Sequence, residues 1–230
     1  MREIKIVYMK EIKNFLARKV MVKWYCILFI ISILVVFVGQ IDGIEISQNR
    51  DLLSLIMTIF IVLLVPNNLS IDLVGGEKYH KTLETIISTP LSTKSILLGK
   101  SLFICSLSLI LILGSSIINN FLLNLFYSIN FLDSGFSRVE LILIYIMTFS
   151  SVIIITLVGS WMSLVSSNLK LNGYIVSGLS IFIVYIIFND LLEKTYRVLL
   201  KNTLGFIITS IVLSFLFIKN ISKKKIMKHL

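Results

Sequence analysis

Residues 74–100 read VGGEKYHKTLETIISTPLSTKSILLGK and form a polar, charged island between two long apolar segments. Gly75 and Gly76 predict the end of the preceding helix, because glycine readily adopts the backbone angles of a helix terminus. From Glu77 the apolar residues recur at helical spacing, and Pro90 predicts where that pattern stops. The sequence therefore predicts a short amphipathic helix over residues 77–89, followed by a hinge over residues 92–95.

Two parts of this stretch come close to a nucleotide-binding loop. Residues 75–82 have His80 where the motif G-x-x-x-x-G-K-[ST] needs its second glycine. Gly99, Lys100 and Ser101 match the other end of the motif, but Lys94 stands in the place of its first glycine. A phosphate loop needs bare glycine backbone between a buried strand and a helix, whereas here the flanks are helices of membrane length. We interpret neither part as an ATP site.

The composition is that of an integral membrane protein. Of the 230 residues, 57% are hydrophobic and 15% are charged, whereas soluble domains are about one quarter charged. The formal net charge of +10 is distributed by loop rather than gathered on one face, which favours membrane topology over nucleic-acid binding. The two cysteines lie in apolar segments and the two histidines are far apart, so we expect neither a disulfide framework nor a metal site.

Six apolar segments reach, or nearly reach, the length of about 20 residues that a helix needs to cross a bilayer. They are residues 24–41, 52–72, 101–126, 141–165, 171–188 and 203–218. The sixth is short, and a start near Val198 would lengthen it. The loop 189–202 alternates charged and apolar residues, which is typical either of a short interfacial helix or of a re-entrant element. We expect an all-α polytopic membrane protein with six transmembrane helices over residues 24–230.

Residues 1–23 form a basic amphipathic segment that precedes the first apolar one. Its apolar stripe and its basic residues are Ile4, Val7, Tyr8, Ile12, Phe15 and Leu16, and Arg2, Lys5, Lys10, Lys13, Arg18 and Lys19. This pattern predicts a helix in the membrane interface, with lysines toward anionic headgroups of the membrane lipids. A cleaved signal peptide is not expected, because the positive region is too long and no small-x-small site follows.

The distribution of positive charge predicts the topology. If both termini are cytoplasmic, the inner segments carry 17 of the 22 lysines and arginines. By the positive-inside rule, the charged stretch 74–100 then lies in the cytoplasm together with both termini. The richness in Ile, Leu, Lys and Asn, with few prolines, is typical of an AT-rich bacterial genome, and we expect a multi-pass protein of the bacterial plasma membrane.

At this point the charged stretch resembles the permease subunit of type-2 ABC exporters. The matching strings are Gly76-Glu77-Lys78, Thr82-Leu83-Glu84, Ser88-Thr89-Pro90-Leu91 and Leu98-Gly99-Lys100. The family usually has a glycine before Thr-Leu-Glu, where this chain has Lys81. The resemblance covers the whole chain in architecture, and specific motifs over about 25 residues.

The resemblance implies that residues 77–89 are a cytoplasmic coupling helix that docks into a separate ATPase subunit, and that residues 1–23 contain an elbow helix. The residues implied in coupling are Glu77, Lys78, Thr82, Leu83, Glu84, Ile86, Ile87 and Pro90. Two such ATPases, which bind ATP and Mg, would serve a dimer of this chain with a second copy or a related permease. The chain itself would hold no cofactor and catalyse no reaction.

The expected activity is ATP-driven export of a hydrophobic or amphipathic cargo, such as a peptide, a drug or a lipid-like molecule, by alternating access. The resemblance implies that the second and fifth spans line the path. The candidate path residues are Pro66, Asn67 and Asn68, with Ser177 and Ser180 behind them. Helix packing is the alternative interpretation of the two serines.

Two other classes stay open at this stage. An ion-coupled secondary transporter or channel would be expected to carry buried charges or paired broken helices, and the spans contain a single proline break. A non-transporting immunity or scaffold protein would have the same sequence pattern as a permease. A membrane enzyme is disfavoured, because the sequence has neither H-E-x-x-H nor G-x-S-x-G.

Overall fold

The computed structural model describes residues 2–19, 21–27, 30–31, 50–77, 91–127, 137–165, 168–193 and 196–220. Every regular element in these ranges is helical. The helices are α1 (Arg2–Ala17), α2 (Arg50–Ile71), α3 (Thr93–Tyr127), α4 (Arg138–Val165), α5 (Leu169–Glu193) and α6 (Tyr196–Asn220). Residues 21–27 are also helical.

Five stretches of these helices are long and apolar enough to cross a membrane. They are Thr58–Gly76, Thr93–Ile118, Val139–Val165, Lys170–Leu192 and Tyr196–Lys219. They correspond to the second to sixth predicted spans, and they bear out an all-α protein of transmembrane character. The predicted first span, residues 24–41, lies mostly outside the described residues.

Helix α4 is the centre of the bundle, since it packs against α2, α3, α5 and α6. The main apolar cluster is built around its inner face, with Ile144 and Ile155 fully buried against residues such as Leu63 of α2 and Ile187 of α5. In a lipid environment such contacts stabilise the bundle by close packing rather than by removal of water. At the other extreme, α6 is the least buried of the five stretches.

The third span begins earlier than predicted. Helix α3 starts at Thr93, eight residues before the predicted start at Ser101, and residues 93–95 belong to its first turn rather than to a hinge. The apolar pattern missed the first two turns of α3 because they contain polar residues that tertiary contacts bury. Thr93, Ser95 and Lys100 are all buried.

The described residues of the stretch 189–202 do not form a separate helix. Its first part continues α5 to Glu193, and its last part is the first two turns of α6, which confirms the earlier start of the sixth span. The polar residues of the stretch are partly satisfied across the two helices, since Asn202 Nδ2 donates to Asp190 Oδ1 at 2.7 Å. This hydrogen bond between α5 and α6 gives the buried Asp190 carboxylate a partner.

Helix α1 packs against the first turns of α3. The ring of Phe103 lies 6.5 Å from that of Tyr8 and 5.6 Å from that of Phe15, and the Tyr8 hydroxyl donates to Ser106 Oγ at 3.1 Å. The residues of the predicted apolar stripe have different surroundings: Val7 is buried against Gly99 of α3, whereas Leu16 is exposed.

Candidate functional site

The end of α2 does not stop at the two glycines. The chain stays helical through a π-helical turn, Asp72–Gly76, and Glu77 keeps helical backbone angles. The prediction that Gly75 and Gly76 end the helix is therefore wrong. Tertiary packing is the physical reason: Val74 is fully buried in a cluster with Leu97 of α3 and residues of α4 and α6, which holds this turn in place.

The π turn changes the carbonyl that the Glu77 amide bonds. In an α-helix the amide of Glu77 would bond the carbonyl oxygen of Leu73, but here it bonds that of Val74. Lys100 of α3 donates its ammonium to the Leu73 carbonyl at 2.5 Å. Short π segments are frequent at functional sites, and this one receives a charged side chain from a neighbouring helix.

Lys100 is the most buried charged residue described, with 1% of its surface exposed. Its Nζ forms an ion pair with Glu77, and a second one at 3.8 Å with Glu11 of α1. Glu11 is only 2% exposed. A lysine is almost never buried without a partner. We call Lys100, Glu77, Glu11 and the Leu73 carbonyl the lysine junction, because they join α1, α2 and α3.

Burial raises the pKa of the Glu11 carboxyl, and the Lys100 ammonium acts in the opposite direction. The negative charge of Glu77 adds to the upward shift. Desolvation of Glu11 is therefore the larger effect. The lysine junction therefore holds a carboxylate at a place where its charged form is costly, and such a buried ion pair adds little to stability beyond what apolar packing would give.

A second contact of α1 lies at the start of α3. Ser92 is the N-cap, since its Oγ accepts the amide of Ser95 at 3.2 Å. The carboxylate of Glu3 accepts the Ser92 amide at 3.2 Å and the Ser95 hydroxyl at 2.9 Å. These hydrogen bonds lower the pKa of the Glu3 carboxyl. In an ordinary capping box this carboxylate comes from the helix itself, as Glu140 does for the Ser137 cap of α4; here α1 supplies it.

Between these two contacts, α1 and α3 approach closely at Gly99. A Cβ on Gly99 would lie 2.7 Å from Val7 Cβ and 3.1 Å from the Ile4 carbonyl oxygen. Only a glycine leaves room for this approach.

The segment between α2 and α3, residues 78–90, therefore begins and ends next to contacts made by α1. Of the predicted coupling residues, Glu77 lies at the lysine junction. The others fall outside the described residues: Lys78, Thr82, Leu83, Glu84, Ile86, Ile87 and Pro90.

Among the predicted path residues, the structure brings Asn67 and Ser177 together. The Asn67 amide donates to Ser177 Oγ at 3.0 Å, joining α2 to α5. Pro66 is buried inside α2, whereas Asn68 is exposed. Ser180 is buried, and its hydroxyl bonds the Val176 carbonyl of its own helix.

Helix α4 contributes polar residues to this interface that the sequence analysis did not single out. Gly159 of α4 packs so tightly on α2 that a Cβ there would overlap Ser70 Oγ and lie 3.6 Å from a methyl group of Val176. One turn away on α4 and α5 lie Ser163 and Asn172, both fully buried. A glycine and two serines close together in an apolar segment, Gly159, Ser160 and Ser163, were the signal available in the sequence.

The polar atoms of Ser163 and Asn172 differ from those of the lysine junction. Within the described part of the chain, neither the hydroxyl of Ser163 nor either side-chain atom of Asn172 has a hydrogen-bond partner. Burial of an unpaired polar atom costs free energy, so such groups call for an explanation in function or conformational change. We call Asn67, Ser70, Gly159, Ser163, Asn172 and Ser177 the polar interface.

The described helices also enclose two grooves that are lined mainly by apolar residues. A groove of about 290 Å³ is lined by residues of α1, α3, α4 and α6, and another of about 240 Å³ lies between α4 and α6. The described residues contain no group of three or more His, Cys, Asp or Glu that could hold a metal ion.

Comparison of this sequence with protein-family models finds no match, and comparison with curated proteins finds none either. The interpretation of the site therefore rests on its residues and their geometry.

Proposed function

We propose that this chain is the transmembrane permease subunit of a type-2 ABC exporter, with both termini in the cytoplasm of a bacterial cell. A separate ATPase would dock on residues 77–89 and supply the energy of ATP hydrolysis. The motif strings between α2 and α3 and the helical, membrane-length architecture support this proposal.

The observation that carries the proposal is how the segment 78–90 is attached. A docking element must pass force to the membrane helices, which requires stiff attachment at both of its ends. Its first end is tied by a buried lysine to three helices, and its second end enters a capped helix. A loop that only connects two spans needs neither a buried ion pair nor a cap carboxylate supplied by another helix.

The proposed mechanism follows from these attachments. Two ATPases would close on ATP and move the two coupling helices of a permease dimer, formed with a second copy or a related chain. Helices α2 and α5 would then separate and approach along the polar interface, where one side-chain hydrogen bond, between Asn67 and Ser177, joins them. The cargo would be hydrophobic or amphipathic, in keeping with the apolar grooves beside α6.

The test uses charge substitution in the predicted coupling helix. We expect the wild-type chain, purified from its native membrane, to retain a subunit that hydrolyses ATP, and Leu83→Glu or Ile87→Glu to lose it. Thr85→Glu adds the same charge outside the predicted apolar stripe and is the matched control. Membrane insertion of all variants is checked by protease protection.

Two results would overturn the proposal. One is full ATP turnover by a complex of the ATPase subunit with a Leu83→Glu chain that is correctly inserted in the membrane. The other is nucleotide binding by the purified chain alone, which would revive the interpretation of residues 75–82 as a phosphate loop.

A further inference from the structure

The two apolar grooves of the described helices lie side by side. The first, of about 290 Å³, and the second, of about 240 Å³, both have Leu157 of α4 and Phe217 of α6 in their walls. Because these two side chains belong to one apolar cluster, the grooves are neighbours. The ring of Trp161, which lines the second groove, lies 6.3 Å from that of Phe217. We call them the paired grooves, and their arrangement suits two hydrocarbon chains that run next to each other.

Along α3 the first groove leads to a lysine. The wall of the groove on this helix is a stripe at helical spacing, formed by Leu98, Ser101, Leu102 and Cys105. Lys94 lies one turn before Leu98 on the same stripe, in the first turn of α3, and it is exposed. The α3 side of the groove therefore ends beside a positive charge.

Two other helices at this end of the bundle each add a lysine. Ile4 of α1 and Ile218 of α6 line the first groove. Lys5 directly follows Ile4, Lys219 directly follows Ile218, and both lysines are exposed. We call Lys5, Lys94 and Lys219 the basic rim. Its members come from three helices that meet at one groove, so the positive charge is gathered there by the fold rather than by one segment of the sequence.

One carboxylate lies near the basic rim. Glu3 precedes Ile4, and it accepts hydrogen bonds from the Ser92 amide and the Ser95 hydroxyl. The parts of α4 and α6 that line the grooves, residues 149–162 and 213–218, contain no acidic residue. Glu3 offsets part of the positive charge, and the three lysines leave the rim positive.

The headgroup has to supply the selectivity of such a site. An acyl chain gains little when it leaves the bilayer for an apolar groove, since lipid tails are as apolar as the groove itself. Apolar packing alone therefore does not select one lipid over another. Each lysine near the membrane surface strengthens the attraction of an anionic lipid. A basic rim at the end of two neighbouring apolar grooves suits a molecule with two chains and a negative headgroup.

We propose that the paired grooves bind one phospholipid with an anionic headgroup, with its acyl chains in the grooves and its phosphate beside Lys5, Lys94 and Lys219. The occupant comes from the surrounding membrane. It bridges α6, the least buried of the membrane-length stretches, to α1 and α3. The inference goes beyond the proposed function, because such a lipid binds whether or not the chain moves a cargo.

Quenching of tryptophan fluorescence tests the site, because Trp161 lines the second groove and Trp24 is the other tryptophan of the sequence. The full chain with Trp24→Phe is reconstituted at a low protein-to-lipid ratio in vesicles of phosphatidylcholine and phosphatidylglycerol. Bromine atoms on the acyl chains of one lipid or the other quench a tryptophan that they contact. We expect phosphatidylglycerol to bind beside Trp161 about fivefold more tightly than phosphatidylcholine, which is the discrimination that one lysine supplies.

Neutralising the basic rim should remove this preference. The variant that combines Lys5→Gln, Lys94→Gln and Lys219→Gln is expected to bind both lipids equally, since it loses the charge and keeps long polar side chains. Raising the salt concentration should weaken the preference of the parent chain, because the rim is exposed and therefore screened. Ser214→Phe, which fills the first groove from α6, should also weaken it with all three lysines in place.

The matched control removes the same charge elsewhere on α1 and α5. It combines Lys10→Gln, Lys13→Gln and Lys170→Gln, which are exposed lysines with no sequence neighbour in the walls of the grooves. It should keep the preference of the parent chain. All variants are compared by circular dichroism, so that only folded chains are scored.

Three outcomes would overturn the inference. An equal loss of preference in the rim variant and in the control would show that the charge of the whole surface attracts the lipid. An unchanged preference in a folded Ser214→Phe chain would place the lipid outside the grooves. If neither brominated lipid quenches Trp161, then another surface, such as a second copy of this chain, covers the grooves. The measurement needs no ATPase, so its result is independent of the proposed function.

Discussion

The lysine junction and the polar interface both bury polar groups between helices, but the partners of those polar groups differ. At the junction, each charged group pairs with a group from another helix: Glu11 of α1, Lys100 of α3 and Glu77 at the end of α2. In the polar interface, a single neutral hydrogen bond from Asn67 to Ser177 crosses between described helices, Ser70 bonds a carbonyl of its own helix, and Asn172 has no partner among the described residues. Pairing across helices fixes their relative position, whereas self-pairing leaves helices free to slide.

This difference assigns the two regions different parts in one mechanism. The junction is suited to transmit movement, since separating its charges inside the protein would be costly. The polar interface is suited to yield, because the side chains of Asn172 and Ser163 break no hydrogen bond to a described residue when their surroundings change, and they gain one when water or a partner reaches them.

The largest expected effect is at Lys100. Lys100→Met should destabilise the protein by about 3–5 kcal/mol, because it leaves two carboxylates near each other without their shared cation. Chemical unfolding in detergent micelles measures this. Lys170→Met, at an exposed lysine of α5, is the control and should change stability by no more than about 0.5 kcal/mol. Equal stabilities for the two variants would mean that the junction does not hold the helices together.

A smaller effect is expected where α4 meets α2. Gly159→Ala should destabilise by about 1–3 kcal/mol, because the new methyl group overlaps Ser70 and forces the helices apart. Ser70→Gly in the same chain should restore most of the loss by removing the overlapping atoms. Gly178→Ala is the control, since a Cβ there meets nothing within 4 Å. Melting temperatures that fail to separate Gly159→Ala from Gly178→Ala would contradict the close packing.

The smallest effect should have the opposite sign. Asn172→Leu should stabilise the protein by about 1 kcal/mol, since leucine has a similar shape and removes two buried polar atoms without partners. Transport should fall at the same time, if the amide serves an open state of the interface. Asn14→Leu, at an exposed asparagine of α1, is the control. If Asn172→Leu is less stable than the wild-type chain and fully active, then the unpaired amide of Asn172 neither costs stability nor serves transport.

The sequence predicted the membrane-length helices well because their signal is compositional and local. The spans that contain Ile144 and Ile187 were found from hydropathy alone, with boundaries that differ by a few residues. Boundaries failed where burial depends on partners. The first two turns of α3 contain Ser95 and Lys100, which are polar in the sequence but are buried in the structure, where Glu3 and Glu11 contact them.

The candidate site was predicted only in part, because the sequence shows which residues are polar but not which residues they contact. Asn67 and Ser177 were singled out separately as polar residues within apolar spans, and the structure shows them bonded to each other. Glu11, Gly159 and Asn172 were missed. The sequence around Glu11, on a basic helix, and around Gly159, in a long apolar segment, does not show which residues they contact.

By itself, the sequence determined the membrane class, the helical architecture and the position of the polar segment between two spans, because apolar run length and charge distribution act locally. Only the tertiary structure decided that α2 continues through two glycines, that Lys100 joins three helices, and that α1 reaches both ends of the segment. Each of these outcomes depends on groups far apart in the chain, whose mutual burial outweighs the local backbone preference of the residues involved.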